Sequence, residues 1–538
     1  MYANINNPAN FQLQDFAQFG FRVITTDFIP VPGEQYRTLY VLQDAVVTAT
    51  TQKGDDITSK AILAGTLLHG LFNSVSITSG RVLAYAAGRV TAEEIIALYE
   101  AYVVALGGTI ENTQCAIDTL NDTGVDFFAD ASLVMIPDGY GTGVVYGQRP
   151  LTSDSQLTFT RASTATRVGP NGAIAVVGSN VPRIDYTGGG CGKLLLEPQR
   201  TNKITYSENQ GPTGTNWYPS TTWTVTNNTV TSPSGYQDAD TLTETTSNTF
   251  HSGYFNATIE SSYTGTYTIS AFAKYNGRIF VLNPYPTGVG RTYFDLQNGT
   301  VLQAGTGVTA KIENYGNGWY RCICTASFSS QSVSFEHMLA SAVGTVVYTG
   351  NGTSGVHIWG CMAEAGAYAT SYIPTLGSTV TRLADACYKT GISSLIGQTE
   401  GTIFLEMSPI ASTTSYTERV LRITGGTDEV GIQRYGDNRI VVFGISGGVT
   451  SWSVDVANIF SAGQVEKIAV GYKLNDVAVY VNGVQIGTDT SAAMFTSLAD
   501  LFFANDASGN LLCPQNVKQA LLFKTRLTNE QLQTLTSL

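Results

Sequence analysis

The sequence predicts a mainly β, multidomain protein in which an N-terminal α+β module precedes two β-sandwiches. At 538 residues the chain is too long for one ordinary hydrophobic core. Charged residues make up only 13% of it, about half the usual share. Short runs of alternating apolar and polar residues, separated by Gly and Asn turns, occupy most of residues 201–538. Together these features indicate β-sheets with a neutral, polar surface.

The charge distribution argues against two classes of partner. The net charge is −12, and the chain has no run of Lys and Arg that could neutralise phosphates. No apolar stretch approaches the roughly 18 residues that a membrane span requires. The N-terminus lacks the basic start and apolar centre of a signal peptide. We therefore predict no nucleic-acid partner, no membrane insertion and synthesis in a cytoplasm.

Residues 1–35 are interpreted as a docking arm. Prolines at positions 8, 30 and 32 interrupt any helix. Because a short terminal segment cannot bury its own aromatic residues, we expect it to dock on the body, on a sister subunit or on a partner. Five phenylalanines are spaced irregularly along the arm: Phe11, Phe16, Phe19, Phe21 and Phe28.

Residues 36–129 combine short strands with a pair of helices. Alternating residues and a Ser-Gly turn within 74–85 predict a hairpin. Thr91 and Glu94 form a capping box, and an apolar stripe at helical spacing then runs to the Gly107-Gly108 stop. A second short helix is predicted over 112–120. The stripe either packs on the adjacent β module, which we favour, or forms a seam between subunits.

Residues 130–200 are interpreted as a connector rich in Gly, Thr and Ser. Its sequence TGGGCGK, residues 187–193, has a faint likeness to a phosphate-binding loop. The likeness fails because Leu194 stands where Ser or Thr is required and no helix follows. We interpret this stretch as a flexible turn.

The two sandwiches are predicted over residues 201–387 and 388–538. In the second, Asn482-Gly483 is a strong signal for a type I′ hairpin. The chain then ends in a strand and a short helix, capped by Thr528 with Gln531 at the third helical position.

Two stretches resemble segments of tailed-phage virion proteins. Residues 159–202, which end in LLLEPQRTN, resemble the junction that leads into jelly-roll and concanavalin-like domains of those proteins, and residues 356–387 resemble the exit of the jelly roll. The resemblance covers nearly the whole chain but is specific only at these two stretches. It implies a jelly-roll, carbohydrate-binding-like domain over 201–387 and a laminin-G or concanavalin-like domain over 388–538.

The resemblance also implies a function. It indicates a head fibre or capsid-decorating protein of a virion, anchored through the arm and residues 36–129, with sandwiches displayed for adhesion to host or mucosal glycans. Such proteins are most often homotrimers, and the capsid is a more fitting neighbour than the baseplate. The alternatives are a tail fibre that binds a receptor and, with less support, a polysaccharide-degrading enzyme.

No catalytic or metal-binding pattern is evident, and we predict that the chain is not an enzyme. The four histidines lack helical metal-site spacing. Cys322 and Cys324 form a C-x-C on a strand with no second pair nearby, so we expect them to pack in a core. The seven cysteines are scattered and odd in number, which predicts no disulfide framework. We also predict no bound cofactor. Sandwich loops can hold structural Ca²⁺, but no acidic cluster locates such a site.

Sugar binding needs exposed aromatic faces beside neutral hydrogen-bonding groups. Trp217, Tyr218 and Trp223 lie in a polar, turn-rich segment and are candidate glycan-binding residues, although we favour a packing role for this group. Trp452 is a fourth candidate. Trp319 and Trp359 lie on predicted core strands and are expected to be packed inside.

Overall fold

The computed structural model describes residues 21–24, 36–51, 57–62, 67–86, 92–209, 217–218, 222–285, 290–411, 418–504 and 513–537. Within them the chain is mainly β, and the predicted fold class is confirmed. The N-terminal part forms four strands: β1 (Phe21–Ile24), β2 (Tyr36–Thr51), β3 (Ile57–Ile62) and β4 (Leu67–Ala86). They form one sheet in the order β1-β4-β2-β3, with a small core of its own that includes Val41, Val47 and Val82.

The next segment contains three helices and ten strands: α1 (Ala92–Ala105), β5 (Thr109–Ile110), α2 (Thr113–Thr123), α3 (Val125–Asp130), β6 (Leu133–Met135), β7 (Gly139–Gly141), β8 (Val144–Tyr146), β9 (Gln156–Thr160), β10 (Ala165–Val168), β11 (Ile174–Val177), β12 (Ile184–Asp185), β13 (Lys193–Leu196) and β14 (Arg200–Asn202).

Twelve strands follow: β15 (Trp217–Tyr218), β16 (Trp223–Val230), β17 (Ala239–Glu244), β18 (Asn248–Phe250), β19 (Ser252–Asn276), β20 (Ile279–Tyr285), β21 (Thr292–Asp295), β22 (Thr300–Gln303), β23 (Val308–Asn314), β24 (Trp319–Ala340), β25 (Val347–Thr349) and β26 (Gly355–Ala365).

The C-terminal segment completes the fold: β27 (Val380–Arg382), β28 (Ala386–Lys389), β29 (Glu400–Pro409), β30 (Glu418–Gly425), β31 (Asp428–Arg434), β32 (Ile440–Ser446), β33 (Val449–Val456), β34 (Glu466–Lys473), β35 (Asp476–Val481), β36 (Val484–Asp489), β37 (Asp500–Phe503), β38 (Gln515–Phe523) and α4 (Asn529–Ser537).

The concanavalin-like sandwich is built from two large sheets. The outer sheet has the order β33-β32-β31-β30-β37-β28-β9-β8-β7-β5. The second, which we call the helix-covered sheet, has the order β12-β13-β38-β29-β34-β35-β36, and β6 also pairs with β38. Both sheets contain strands from before and after the jelly roll. Residues 130–200, interpreted above as a connector, therefore supply structural strands to this sandwich. Local sequence does not show this role, because these short strands hydrogen-bond to partners more than 200 residues away in sequence, as β9 does to β28.

The jelly roll is inserted between two strands that pair with each other. β14 and β27 are antiparallel, with Arg200 opposite Arg382 and Asn202 opposite Val380. Between them, the long strands β19 and β24 pair from Ser252–Met338 to Lys274–Trp319 through several register shifts. The inserted sheet surrounds a core that includes Phe280, Leu282 and Phe335. The chain thus leaves the concanavalin-like sandwich and re-enters it at one place.

The helices do not pack where the sequence analysis favoured. The helix predicted to end at Gly107-Gly108 is confirmed as α1, and the second predicted helix as α2, whereas Thr91 lies outside the described residues. Ile95, Ile96 and Leu120 share one apolar cluster with Phe404 and Leu521 of the helix-covered sheet. The prediction of packing on the adjacent β module is wrong, because this sheet turns alternate apolar side chains away from the sandwich core and towards the helices.

The predicted C-terminal features are confirmed. Asn482 and Gly483 join β35 to β36 with φ of 48° and 79°, as a type I′ turn requires. The Thr528 backbone N–H donates to Gln531 Oε1 at 2.8 Å, and the Gln531 N–H donates to Thr528 Oγ1 at 3.2 Å, which is the reciprocal capping box of α4. None of the helices in the described ranges is long and apolar enough to cross a membrane.

One disulfide bond corrects the prediction from cysteine count. Cys115 of α2 and Cys191 of the β12–β13 loop are bonded, although 76 residues separate them in sequence. The spacing gives no hint of this pair because only the docked helix brings the two residues together. The other five cysteines, including Cys322 and Cys324, are buried and form no disulfide bond.

Candidate functional site

Two of the candidate tryptophans are buried and cannot present a ring to a sugar. Trp223 is 4% exposed and packs in the jelly-roll core with its ring 4.9 Å from that of His337. Trp452 is 2% exposed and lies over Gly444, where a Cβ would come within 2.2 Å of the indole nitrogen. A stacking platform needs an open face, so the structure removes both from the candidate site. Their alternation along β16 and β33 points them into the cores.

The remaining candidates fall at the margins of the described residues. Trp217 and Tyr218 form β15, which pairs with Phe255 and Tyr254 of β19, while their side chains lie outside the described part of the structure. Phe21 begins β1 and its backbone pairs with Tyr85. The other arm residues, Phe11, Phe16, Phe19 and Phe28, lie outside the described residues. Trp319 and Trp359 are 2% and 1% exposed, as expected of packed residues.

An open cleft lies where the jelly roll meets the concanavalin-like sandwich. Its volume is about 110 Å³, with room for roughly seven to ten water-sized groups. Clefts between domains are common places for ligand sites. Five separate parts of the chain line the cleft. The polar and aromatic residues among them include Asp185, Thr187, Glu197, Glu313, Tyr315, Arg321 and Asn516.

The jelly-roll wall of the cleft is held in place by aromatic and arginine contacts. The Tyr315 ring packs edge-on against Phe272 with centroids 4.8 Å apart. Arg321 lies over the same Phe272 ring at 5.5 Å and donates from Nη1 to the Thr370 carbonyl oxygen at 2.8 Å. Because Arg321 is only 3% exposed, it fixes the Thr370 loop and the aromatic wall in one arrangement.

The opposite wall contains an unsatisfied acceptor. Asn516 lies on β38 opposite Leu195 of β13, and its side-chain oxygen Oδ1 is buried with no hydrogen-bond partner in the protein. A buried carbonyl oxygen without a donor costs on the order of 1–3 kcal/mol. Beside it, Thr187 offers an exposed hydroxyl to the cleft. This wall is therefore able to accept a hydrogen bond from a ligand hydroxyl.

A buried ion cluster lies beneath the cleft and joins the two sandwiches. We call it the junction cluster, and its members are Arg161, Arg183, Glu197, Arg382 and Asp385, all at most 2% exposed in their side chains. Arg183 donates from Nη1 to Glu197 Oε2 at 2.6 Å and is also paired with Asp385 through Nη2. Arg161 Nη1 contacts Asp385 Oδ1 at 3.1 Å, and Arg382 Nη1 contacts Glu197 Oε2 at 2.7 Å.

Ser371 extends the junction cluster into the exit of the jelly roll. Its backbone N–H and hydroxyl donate to Glu197 Oε1 and Oε2 at 2.8 and 2.7 Å. Burial alone would raise the pKa of Glu197, but Arg382 and Arg183 outweigh it and hold that pKa at about 2. Glu197 therefore stays ionised and cannot release or take up a proton near neutral pH.

Asn202 completes the stem of the inserted domain. Its Nδ2 donates to the carbonyl oxygens of Ile373 and Cys361 at 2.8 and 3.3 Å. Its Oδ1 accepts from the backbone N–H groups of Ile204 and Ala363 at 3.0 and 3.1 Å. A single buried amide thus ties the entrance of the jelly roll to β26 and to its exit.

A second cavity, near the disulfide, is too small for a substrate. It has a volume of about 10 Å³, which is enough for one water molecule. Two carboxylates line it. Burial raises the pKa of Asp138 to about 7, and Gln148 donates to its Oδ1 at 2.7 Å. Glu111 is also partly buried, yet its bidentate partner Arg167 keeps the Glu111 pKa below the ordinary value.

Metal ligands do not converge in the part of the chain that the structure describes. No three His, Cys, Asp or Glu side chains within the described ranges form a group able to hold a metal ion. The structure therefore gives no location for the structural Ca²⁺ considered above.

The cleft residues escaped the sequence analysis for a simple reason. Tyr315, Arg321 and Asn516 come from strands or turns with ordinary polar patterns and are separated by up to 200 residues in sequence. The only available signal was the resemblance of residues 159–202 to a domain junction, which marks one wall of the cleft without naming a ligand-binding residue.

Comparisons with known proteins give only distant similarity. No family model and no curated protein matches the chain. The Ruminococcus gnavus IT-sialidase CBM40 bound to α2,3-sialyllactose is 13% identical with a TM-score of 0.25, over 27% of this chain and 86% of that one. The botulinum neurotoxin type G receptor-binding domain is 12% identical with a TM-score of 0.23, over 28% and 38%. A SAP-like pentraxin from Limulus polyphemus is 13% identical with a TM-score of 0.22, over 26% and 70%. At these values the similarities carry no argument about function.

Proposed function

We propose that this chain is a non-enzymatic, adhesive structural protein of a phage particle, a head fibre or capsid-decorating protein whose sandwiches bind glycans. Residues 1–35 and the N-terminal sheet anchor it to other virion proteins, and the two sandwiches project outward. The resemblance at residues 159–202 and 356–387 supports the virion assignment. A homotrimer would present three weak glycan sites at once and raise the overall avidity.

The unsatisfied Asn516 Oδ1 in the cleft is the observation that carries the glycan assignment. Sugar hydroxyls donate hydrogen bonds to such oxygens, and the Tyr315 ring on the facing wall supplies an apolar surface. A cleft with room for about ten water-sized groups matches one sugar ring more closely than an extended chain. The proposed ligand is therefore one terminal sugar unit of a surface glycan.

The cleft carboxylates support binding without catalysis. Glycoside hydrolysis needs an acid with a raised pKa near a second carboxylate. Glu197 has its pKa held at about 2, and Asp185 already accepts from the backbone N–H groups of Val168 and Thr187 at 2.8 and 3.0 Å. Glu313 pairs with Lys311 at 2.7 Å. None of these three is set up as a general acid.

Glycan binding is tested with the purified full chain on an array of bacterial-surface and mucosal glycans. The best glycan is then titrated against wild type, Asn516→Ala and the matched control Asn248→Ala, which alters an exposed asparagine of β18 outside the cleft. We expect Asn516→Ala to weaken binding about tenfold at a Tm no lower than that of wild type and the control to bind normally. Equal affinity for all three proteins would contradict the cleft assignment, and silence across the array would leave a purely structural role.

The enzymatic alternative, the anchoring role and the tail-fibre alternative are each tested by a different experiment. Release of new reducing ends from capsular or surface polysaccharides would replace the adhesive proposal with an enzymatic one. Deleting residues 1–35 should prevent incorporation into particles, and a truncated chain that still co-purifies stoichiometrically would refute the anchor assignment. A map of the whole particle separates a head fibre from a tail fibre by whether the N-terminal part contacts capsid or baseplate.

A further inference from the structure

The disulfide bond joins the helical layer to the edge of the helix-covered sheet. Cys115 lies in the first turn of α2, and Cys191 lies in the loop between β12 and β13. Both residues are half-buried, so small reagents can reach them. The bond therefore crosses from the layer that follows the N-terminal sheet to the sandwich that carries the cleft.

The loop that holds Cys191 is the glycine stretch that failed as a phosphate site. Gly188, Gly189 and Gly190 have φ of 84°, 76° and 77°, a left-handed conformation that only glycine adopts without strain. A Cβ at any of the three would meet nothing within 4 Å. The loop therefore stands clear of the protein body at residues 188–190, and this part of the backbone on the N-terminal side of Cys191 can change conformation without a clash.

Helix α2 is positioned by contacts that do not depend on the bond. Ala116 and Leu120 are buried in the cluster shared with the sheet. Thr123 and Gln519 of β38 are hydrogen-bonded at 2.9 Å, and Glu111, just before the helix, pairs with Arg167 at 2.5 Å. Docking of the helix therefore has support other than the bond, and it places Cys115 beside the loop that holds Cys191.

The remaining thiols do not compete for an oxidant. All five are at most 1% exposed. Burial also raises the pKa of Cys322, Cys324, Cys387 and Cys513, which keeps these thiols protonated and poorly nucleophilic. Mild oxidation is therefore directed to one pair.

We propose that Cys115–Cys191 is an oxidative staple that closes after the helical layer has docked and that is open while the chain remains in a reducing cytoplasm. A low-molecular-weight disulfide is the oxidant. One cysteine thiolate attacks it and expels one small thiolate, and the second cysteine thiolate then attacks the mixed disulfide and expels the other. The two protons lost by the cysteines end on the two small thiols, so atoms and electrons balance. The proposal does not depend on glycan binding.

The closure is tested on the full chain purified in reductant and then exposed to oxidised glutathione. Free thiols counted in denaturant should fall from seven to five, and peptide mapping should recover Cys115 joined to Cys191. A count that stays at seven, or a bond between other cysteines, would overturn the proposal.

A second measurement tests whether the Cys115–Cys191 bond holds the helical layer in place. Protease cleavage within residues 92–130 should be at least about tenfold slower in the oxidised chain than in the reduced chain. Cys191→Ser, which alters only the open loop, should be cleaved at the rate of reduced wild type whether or not reductant is present. If oxidation slows cleavage of Cys191→Ser as much as that of wild type, or leaves the wild-type rate unchanged, the bond does not lock the helical layer.

Discussion

The inner and outer sides of the interdomain junction satisfy their polar groups in opposite ways. On the inner side, the junction cluster pairs three arginines with two carboxylates at almost complete burial. On the outer side, the cleft exposes Thr187 and leaves Asn516 Oδ1 without a protein donor. Glu197 takes part in both, since it belongs to the cluster and lines the cleft. The same segment therefore builds a buried ionic support and an open site, and the open site presents an unused acceptor to the cleft.

The largest expected loss of stability comes from a substitution on the inner side, in the junction cluster. Glu197→Gln leaves the buried Arg382 without its ion-pair partner and Arg183 with Asp385 alone, and we expect a loss of about 3–5 kcal/mol in the free energy of unfolding. Glu313→Gln is the matched control on the cleft, where the pair with Lys311 is partly exposed and its loss should cost less than about 1 kcal/mol. Urea titration measures both, and equal losses would show that the inner cluster is no more important than the cleft rim.

Low pH should also weaken the ion pairs of the junction cluster and so lower the stability of the fold. The pKa of Glu197 is lowered from 4.5 to about 2, so its contribution to stability is present above pH 4.5 and is lost as the pH falls towards 2.

A smaller loss is expected at the stem of the inserted domain. Asn202→Ala leaves two buried carbonyl oxygens and two backbone N–H groups without their partner, which should cost about 2–3 kcal/mol. The same substitution at the exposed Asn248 should be close to neutral. If thermal unfolding shows no difference between the two variants, the stem does not stabilise the junction.

The most gradual effect comes from Asp138, away from the junction, because it is spread over several pH units. Its pKa is raised from 3.8 to about 7, so the folded state favours the protonated form, and stability should fall by roughly 1 kcal/mol per pH unit between pH 4 and pH 7. Asp138→Asn imitates the protonated carboxyl and should flatten this dependence. Urea titrations of both proteins across that range test the prediction, which fails if the variant keeps the wild-type slope.

Local features of the fold were predictable, whereas long-range placement was not. The Asn482-Gly483 hairpin and the Thr528 capping box depend on adjacent residues, and the sequence alone is enough to identify them. The docking of α1 and α2 depends on Phe404 and Leu521, which are hundreds of residues away. Residues 159–202 appear as a connector in sequence because isolated charges among Gly, Ser and Thr are usually solvated.

The candidate site was predicted least well, for the same reason. Trp223 and Trp452 carry the residue type expected of a sugar platform, but strand alternation points them into cores. Arg183 and Glu197 pair with each other, but the cluster is completed only when Arg382 and Asp385 return from the far side of the inserted jelly roll. The resemblance at this segment identifies residues that hold two domains together, and the ligand-accepting Asn516 lies outside it.

Scanning calorimetry tests most directly whether the junction cluster makes the two sandwiches one unit. Trp319, Trp359 and Phe272 of the jelly roll belong to the same apolar core as the concanavalin-like sheets, and the junction cluster lies at the point where the chain crosses between them. We predict one cooperative transition for both sandwiches in wild type and two separated transitions in Glu197→Gln. Two independent transitions already present in wild type would contradict this account.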